Sequence, residues 1–202
     1  MNIHRLFPTL VGVSMNPNHD DSIVKRCLQL EKTKKSGGTD WVSKDTFNTL
    51  GSHDITNDKE FESINAFVIS STVEFCKAIR VDSSSSKIVP AGGWLNVYRK
   101  GDYQEYHNHN PCLLSAIYYV KTPKEGSKLF IKNPFDDMLA PDYTERNADN
   151  TSREVLQPDD GMLVIFRGHL QHCVEKHTDD EPRISLAYNF STGLDNISLT
   201  SA

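Results

Sequence analysis

Residues 94–121 read WLNVYRKGDYQEYHNHNPCLLSAIYYVK, and two runs inside them, Trp94 to Arg99 and Cys112 to Lys121, decide the fold class. Both are short and rich in Val, Ile and Tyr. Lys100-Gly101-Asp102 and Asn110-Pro111 bound them, so each reads as a strand set off by turn residues. Working outward, the same signature recurs at Ser127 to Lys132, Arg153 to Leu156, Met162 to Phe166, Gln171 to Glu175 and Arg183 to Phe190. No helical pattern intervenes. Seven or eight short strands in succession specify a mainly β sandwich, jelly roll or barrel over residues 88–202. One connection, 133–152, is long and polar, which predicts either a lid over a site or a simply mobile loop.

Upstream of this core the character is different. Residues 1–15 predict an extended strand interrupted at Pro8. From Asp20 to about Lys35 the spacing of Ile23, Cys27 and Leu30 predicts a helix, with Asp20 or Asp21 as its cap. A second helix is predicted from Asp58 to Arg80. Its apolar stripe is Phe61, Ile64, Val68, Phe75 and Ile79, and Asn57 with Glu60 has capping-box spacing. Asp82 to Lys87, with four consecutive serines, is the natural internal boundary. Residues 1–87 are therefore expected to supply a strand and flanking α-helices that pack on the β core of 88–202, in one compact domain.

Composition narrows the function classes. The chain has 202 residues, 27 acidic against 22 basic side chains and a net charge of −5, so it lacks the basic footprint of a nucleic-acid binder. With 37% hydrophobic residues it can bury a core, and no apolar run reaches the ~20 residues of a membrane helix. Cys27, Cys76, Cys112 and Cys173 show no C-x-x-C spacing, which argues against a zinc ribbon or redox pair and predicts reduced thiols in a cytoplasmic protein.

The chemistry-bearing residues fall in three places. His107 and His109 are two apart, so on a strand they share a face with Glu105 and can reach one metal ion. Of the later histidines, His172 has the most natural inward position, while His169 and His177 are expected at the surface. Three ligands from two separated segments leave open positions for substrate or oxygen. In the last strand, Arg183 and Ser185 share one face and Ile184, Leu186 and Tyr188 the other. A guanidinium beside a hydroxyl suits a bound carboxylate; the plainer reading pairs Arg183 with Asp179, Asp180 or Glu181.

These residues carry a resemblance. Asn96-Val-Tyr98, Gly101, His107-x-His109, Leu114-Ser-Ala-Ile-Tyr-Tyr-Val120, Pro158-x-x-Gly161, Phe166, His172 and Arg183-x-Ser185 together make residues 94–190 similar to the double-stranded β-helix of iron(II)- and 2-oxoglutarate-dependent oxygenases. Leu6-Phe-Pro-Thr9 and Trp41-Val-Ser43 also resemble a branch of such oxygenases found in bacteria and cyanophages. The resemblance implies Fe(II) held by His107 and His172. It implies that Arg183, with Ser185, Tyr119 and Ser115, receives the distal carboxylate of the 2-oxoglutarate cosubstrate, with Tyr98 or Asn96 nearer the iron. The implied reaction consumes O2, releases succinate and CO2, and hydroxylates an unactivated carbon.

The family motif has Asp or Glu where this chain has His109. His109 is expected to serve as third ligand, with Glu105 as second choice, and the exchange leaves the metal one charge more positive. Trp41, Phe135, Tyr143, Arg146 and Arg153 fall in long segments near the expected site and are candidates for its substrate wall. The substrate is expected to be a small molecule or a protein side chain. Two rivals share the architecture. A three-histidine cupin dioxygenase would work without a keto acid, and Gly101 before His107-x-His109 echoes its first motif. A non-catalytic jelly-roll binding protein would hold no iron.

Overall fold

In a computed structural model of the chain, residues 1–4, 6–38, 41–43, 45–82, 87–124, 126–135 and 141–192 are described; the serine run, part of the 133–152 connection and the last ten residues lie outside them. Strand β1 (Val11–Met15), helix α1 (Ile23–Thr33), a two-residue strand β2 (Phe47–Asn48) and helix α2 (Glu62–Ala78) precede the β core. The core runs β3 (Ile88–Tyr98), β4 (Gln104–His107), β5 (Leu114–Lys121), β6 (Leu129–Lys132), β7 (Arg153–Leu156), β8 (Met162–Arg167), β9 (His172–Val174) and β10 (Arg183–Thr192). The larger sheet has the order β1-β8-β5-β10-β3-β2 and the smaller β4-β9-β6-β7. All the pairs are antiparallel. From β3 onward the chain crosses from sheet to sheet, staying in the smaller one only for β6 and β7. This is a double-stranded β-helix.

Alternation along the strands builds three layers. Leu114, Ala116, Tyr118 and Val120 of β5 face the helices together with Leu95, Val97, Ile184, Leu186, Cys27, Phe61 and Val68. Ile117 and Tyr119, with Val164 and Phe166 of the neighbouring β8, face the smaller sheet and its Leu129 and Ile131. A central strand covered on both faces reads as a continuous apolar run, which is why Leu114 to Val120 is buried throughout. No described helix is long and apolar enough to cross a membrane.

The helices are shorter than the periodicity suggests. Asp58, not Asn57, is the cap: its carboxylate accepts from the Glu60 amide at 3.0 Å and sets a 3-10 turn, Lys59–Phe61, ahead of α2. The same carboxylate receives Arg26 Nη2 of α1 at 2.6 Å and His53 Nε2 at 2.9 Å. Burial alone would raise the Asp58 pKa, but Arg26, the Glu60 amide and His53 together hold it below the ordinary carboxylate value. Asp58→Ala should therefore cost about 2 kcal/mol in urea unfolding at neutral pH. Because the folded-state pKa is depressed, that contribution is complete above the unfolded value and vanishes as pH falls through the folded one. The gap between Asp58→Ala and the parent should close in acid, and a gap that persists there would exclude the charge as its source.

Two expectations are corrected here. The opening strand covers only Val11–Met15, paired with β8. His177 is not a surface residue: it is 1% exposed, its Nε2 lies 2.7 Å from the Glu181 carbonyl and its amide donates to the Asp102 carbonyl at 2.7 Å. His169 is exposed.

Candidate metal and cosubstrate site

His107 closes β4, His172 opens β9, and the two are register partners, which sets their imidazoles side by side with centroids 4.2 Å apart. His107 Nδ1 lies 2.8 Å from the Glu105 carbonyl and His172 Nδ1 3.0 Å from the Leu170 carbonyl. A carbonyl only accepts, so both Nδ1 atoms carry the proton and both Nε2 atoms present a lone pair, that of His172 toward His109 Nε2.

His109 arrives differently from the strand-face expectation. β4 ends at His107, with a register shift between Gln104 and His107, so His109 stands beyond the strand. Its amide donates to the Gly168 carbonyl at 2.7 Å, and the Gly168 amide donates to Leu113 at 3.0 Å. That loop crosses Gly168 so closely that a Cβ there would lie 2.2 Å from the Cys112 carbonyl oxygen. His109 Nε2 ends 3.3 Å from His172 Nε2, and one nitrogen from each of the three histidines lies within 4.8 Å of the other two. Gly168→Ala should push the 109–112 loop outward and weaken metal binding at least tenfold while the chain stays folded, as read by calorimetry beside circular dichroism. Unchanged affinity would mean that the loop does not place His109.

Burial keeps the three rings neutral. It lowers the pKa of His107, lowers that of His109 to about 4 with help from His107, and, with both neighbours, takes His172 well below the ordinary value. Three uncharged imidazoles with converging lone pairs fit a ferrous ion and leave its other coordination positions free. Glu105 does not join them: its Oε1 accepts from the Val42 amide at 2.9 Å.

From the histidines a cavity runs between the sheets to Arg183, walled by Trp41, Trp94, Asn96, Tyr98, Gln104 and Val174 among others. Arg183 is 1% exposed, its guanidinium 4.7 Å from the Tyr98 ring centroid and 5.1 Å from that of Tyr119. Nη1 reaches Ser185 Oγ at 3.4 Å, while Nε, Nη2 and the Tyr119 hydroxyl have no hydrogen-bond partner among the described residues. The plainer reading of Arg183 fails, because Asp180 pairs with Lys100, Glu181 with Lys121, and Asp179 accepts from the Glu181 amide. Nor do the phenols supply an anion: burial, only partly offset by Arg183, raises Tyr98 to about 12 and also raises Tyr119. A sealed cation with no carboxylate partner among the described residues is costly and favours an anionic ligand. A dicarboxylate with one end at Arg183 and the other toward the histidines fits these residues.

Ser115 lines the cavity but gives its hydrogen to Asn189 Oδ1 at 2.7 Å, so it has no donor left for a carboxylate. Asn96 is 5% exposed with its Oδ1 unpartnered. Of the substrate-wall candidates, Trp41 alone lines this cavity. Arg146 lies 4.6 Å over the Tyr143 ring and donates to the Asn150 carbonyl at 2.9 Å, in an exposed loop. Arg153 lies 4.3 Å over Phe130, the cross-strand partner of Cys173, and so on the face of the smaller sheet opposite His172. Phe135 is 67% exposed. Sequence reasoning missed Gln104 and Trp94. Trp94 stands two residues before Asn96, so the period of β3 could have found it; its ring is 5.7 Å from that of His109.

Residues 92–189 match the model of a 2OG-Fe(II) oxygenase family. Among solved structures, a prolyl-4-hydroxylase from Pseudomonas putida is 13% identical, with a TM-score of 0.64 over 91% of this chain and 93% of that one. A prolyl hydroxylase from Trichoplax adhaerens, bound to a peptide fragment of the hypoxia inducible factor oxygen degradation domain, is 11% identical, with a TM-score of 0.60 over 90% and 83%. HygX from Streptomyces hygroscopicus, with nickel and 2-oxoglutarate bound, is 10% identical, with a TM-score of 0.60 over 92% and 84%. No curated protein sequence matches the chain.

Proposed function

We propose, from the match of residues 92–189 to the model of a 2OG-Fe(II) oxygenase family, that this enzyme hydroxylates an unactivated carbon, with His107, His109 and His172 holding Fe(II) and Arg183 holding the distal carboxylate of 2-oxoglutarate. When bound, iron and the keto acid turn O2 into an oxidant while 2-oxoglutarate becomes succinate and CO2. The chain's own residues do the positioning. Glu105 and Leu170 carbonyls fix the rings of His107 and His172. Arg183 presents two unengaged donors, Nε and Nη2, to a carboxylate, and Tyr119 adds a third from its hydroxyl. Ser185 stands on the same side at 3.4 Å, and Tyr98 backs the guanidinium with its ring face. Trp94 stands beside His109, where a substrate carbon and O2 have to meet out of bulk water, and Trp41 lines the same cavity.

The observation that carries this reading is the buried, unpaired Arg183 on the same cavity as the histidines. A three-histidine dioxygenase without a keto acid leaves that cation unexplained, and a non-catalytic jelly roll leaves the converging neutral imidazoles without a role. The test is anaerobic: Fe(II) is added to the apoprotein and 2-oxoglutarate titrated while the visible metal-to-ligand charge-transfer band is followed. A saturable band at one equivalent is expected. Iron binding with no band at saturating keto acid would remove the chain from 2-oxoglutarate chemistry.

A further inference from the structure

We propose that His19, Asp21 and Asp160 form a second divalent-cation site, separate from the histidine triad and on the helix side of the larger sheet. His19 and Asp21 lie in the turn between β1 and α1, and Asp160 in the turn that leads into β8. One ligand atom from each lies within 4.8 Å of the other two. The two turns are joined by the Asn16 amide, which donates to the Gly161 carbonyl at 2.9 Å. Gly161 has φ +79°, and a Cβ there would lie 2.9 Å from His19 Cβ, so glycine is what lets the histidine close on Asp160.

The imidazole is held in an aimed position. His19 Nδ1 is 2.8 Å from the hydroxyl of Tyr118, which also accepts from Asn16 Nδ2 at 3.1 Å, and Tyr118 is fully buried. That leaves Nε2 facing the carboxylates. It is sealed from solvent and makes no hydrogen bond among the described residues, although Asp21 Oδ1 is 3.3 Å away. Asp160 is fixed as well: its Oδ1 accepts from the Thr122 amide and hydroxyl, both at 2.6 Å, which directs Oδ2 elsewhere.

Charge and donor type select the ligand. A protonated imidazole offers one hydrogen at Nε2 for two carboxylates, and the Asp21 contact lacks the alignment to use it. A neutral imidazole that donates from Nδ1 to Tyr118 puts a lone pair against carboxylate lone pairs, and one that accepts there from the Tyr118 hydroxyl again offers a single hydrogen at Nε2. A divalent ion satisfies all three groups and balances two carboxylates. One nitrogen and two oxygens suit zinc-like first-row ions, whose ligands sit about 3.4 Å apart in a tetrahedron, so the side chains need only a small inward shift. Asp21 is 81% exposed, so the ion is reached from solvent and retains water. Bound there, it would clamp the start of α1 to the turn before β8.

The test uses Zn(II) and calorimetry. The His172→Ala protein, with the triad disabled, should take up one equivalent and unfold at a higher temperature with zinc than without. Asp21→Asn and Asp160→Asn, the latter keeping the acceptor for Thr122, should each weaken that uptake at least tenfold. If His172→Ala does not fold, the same asparagine variants of the otherwise unaltered chain should lower its stoichiometry from two to one. No uptake by a folded His172→Ala protein, or uptake indifferent to both asparagine variants, would overturn the second site and leave the triad untouched.

Discussion

His172→Ala should lose tight ferrous binding, with affinity down at least a hundredfold in equilibrium dialysis. His172 is the hub of the triad. It is the register partner of His107 and the ring whose Nε2 stands 3.3 Å from that of His109. Truncation leaves two imidazoles that approach each other edge to face, centroids 5.1 Å apart, and a bidentate pair loses both a bond and the facial geometry. The variant should still fold, because the lost ring is a neutral imidazole whose polar contacts among the described residues are a local bond to the Leu170 carbonyl and the 3.3 Å approach to its fellow ligand His109. His169→Ala, three residues earlier and exposed, is the matched control and should bind iron as the parent does. Stoichiometric iron retained by His172→Ala would move the third ligand to another residue.

Much of this arrangement is legible in the sequence, for reasons that differ by residue. Arg183 and Ser185 separate from Ile184, Leu186 and Tyr188 because β10 keeps its two-residue alternation through a register shift against β5 at Ile184/Ser185, with one face on the helix layer and one on the cavity. His172 is found by the same alternation. The convergence of His109 was expected on a different ground from the one the structure shows. Alternation places it beside His107 on a continuing strand, yet the strand stops and the loop across Gly168 carries the ring inward. That contact joins residues nearly sixty apart, which no local pattern encodes.

Glu105 and His177 fail for related reasons. Glu105 precedes His107 by two and would share its face in a regular ladder, but the irregular register of β4 turns its carboxylate to the Val42 amide. The segment Lys176 to Asp180 is polar enough to read as a surface turn, while His177 is buried because its ring meets the Glu181 carbonyl. β2 is two residues long and leaves no periodic trace. Arg146 and Arg153 were drawn toward the site by their place in a long connection. One is held by its own loop, and the pleat of β7 aims the other away.

Arg183→Met separates the two halves of the proposed site most sharply, and it should act in opposite directions on stability and on binding. In the apoprotein, Arg183 is a sealed guanidinium between Tyr98 and Tyr119 with two donors unsatisfied and no carboxylate partner among the described residues. Replacing such a group with an apolar side chain of similar volume is often neutral or stabilising. The ligand-free variant should therefore unfold at the same temperature as the parent or higher. Binding moves the other way. A bidentate pair of charge-assisted hydrogen bonds lost with the guanidinium is worth about 3 kcal/mol, or roughly a hundredfold in 2-oxoglutarate affinity. Iron should bind unchanged, because the triad does not touch Arg183. Arg183→Lys should recover little, since an ammonium cannot reproduce the fork or stack between the rings. Parallel thermal unfolding, with and without iron and 2-oxoglutarate, reads both effects at once. Unchanged cosubstrate affinity in Arg183→Met would sink the assignment of the anion to this end of the cavity, whatever the iron does.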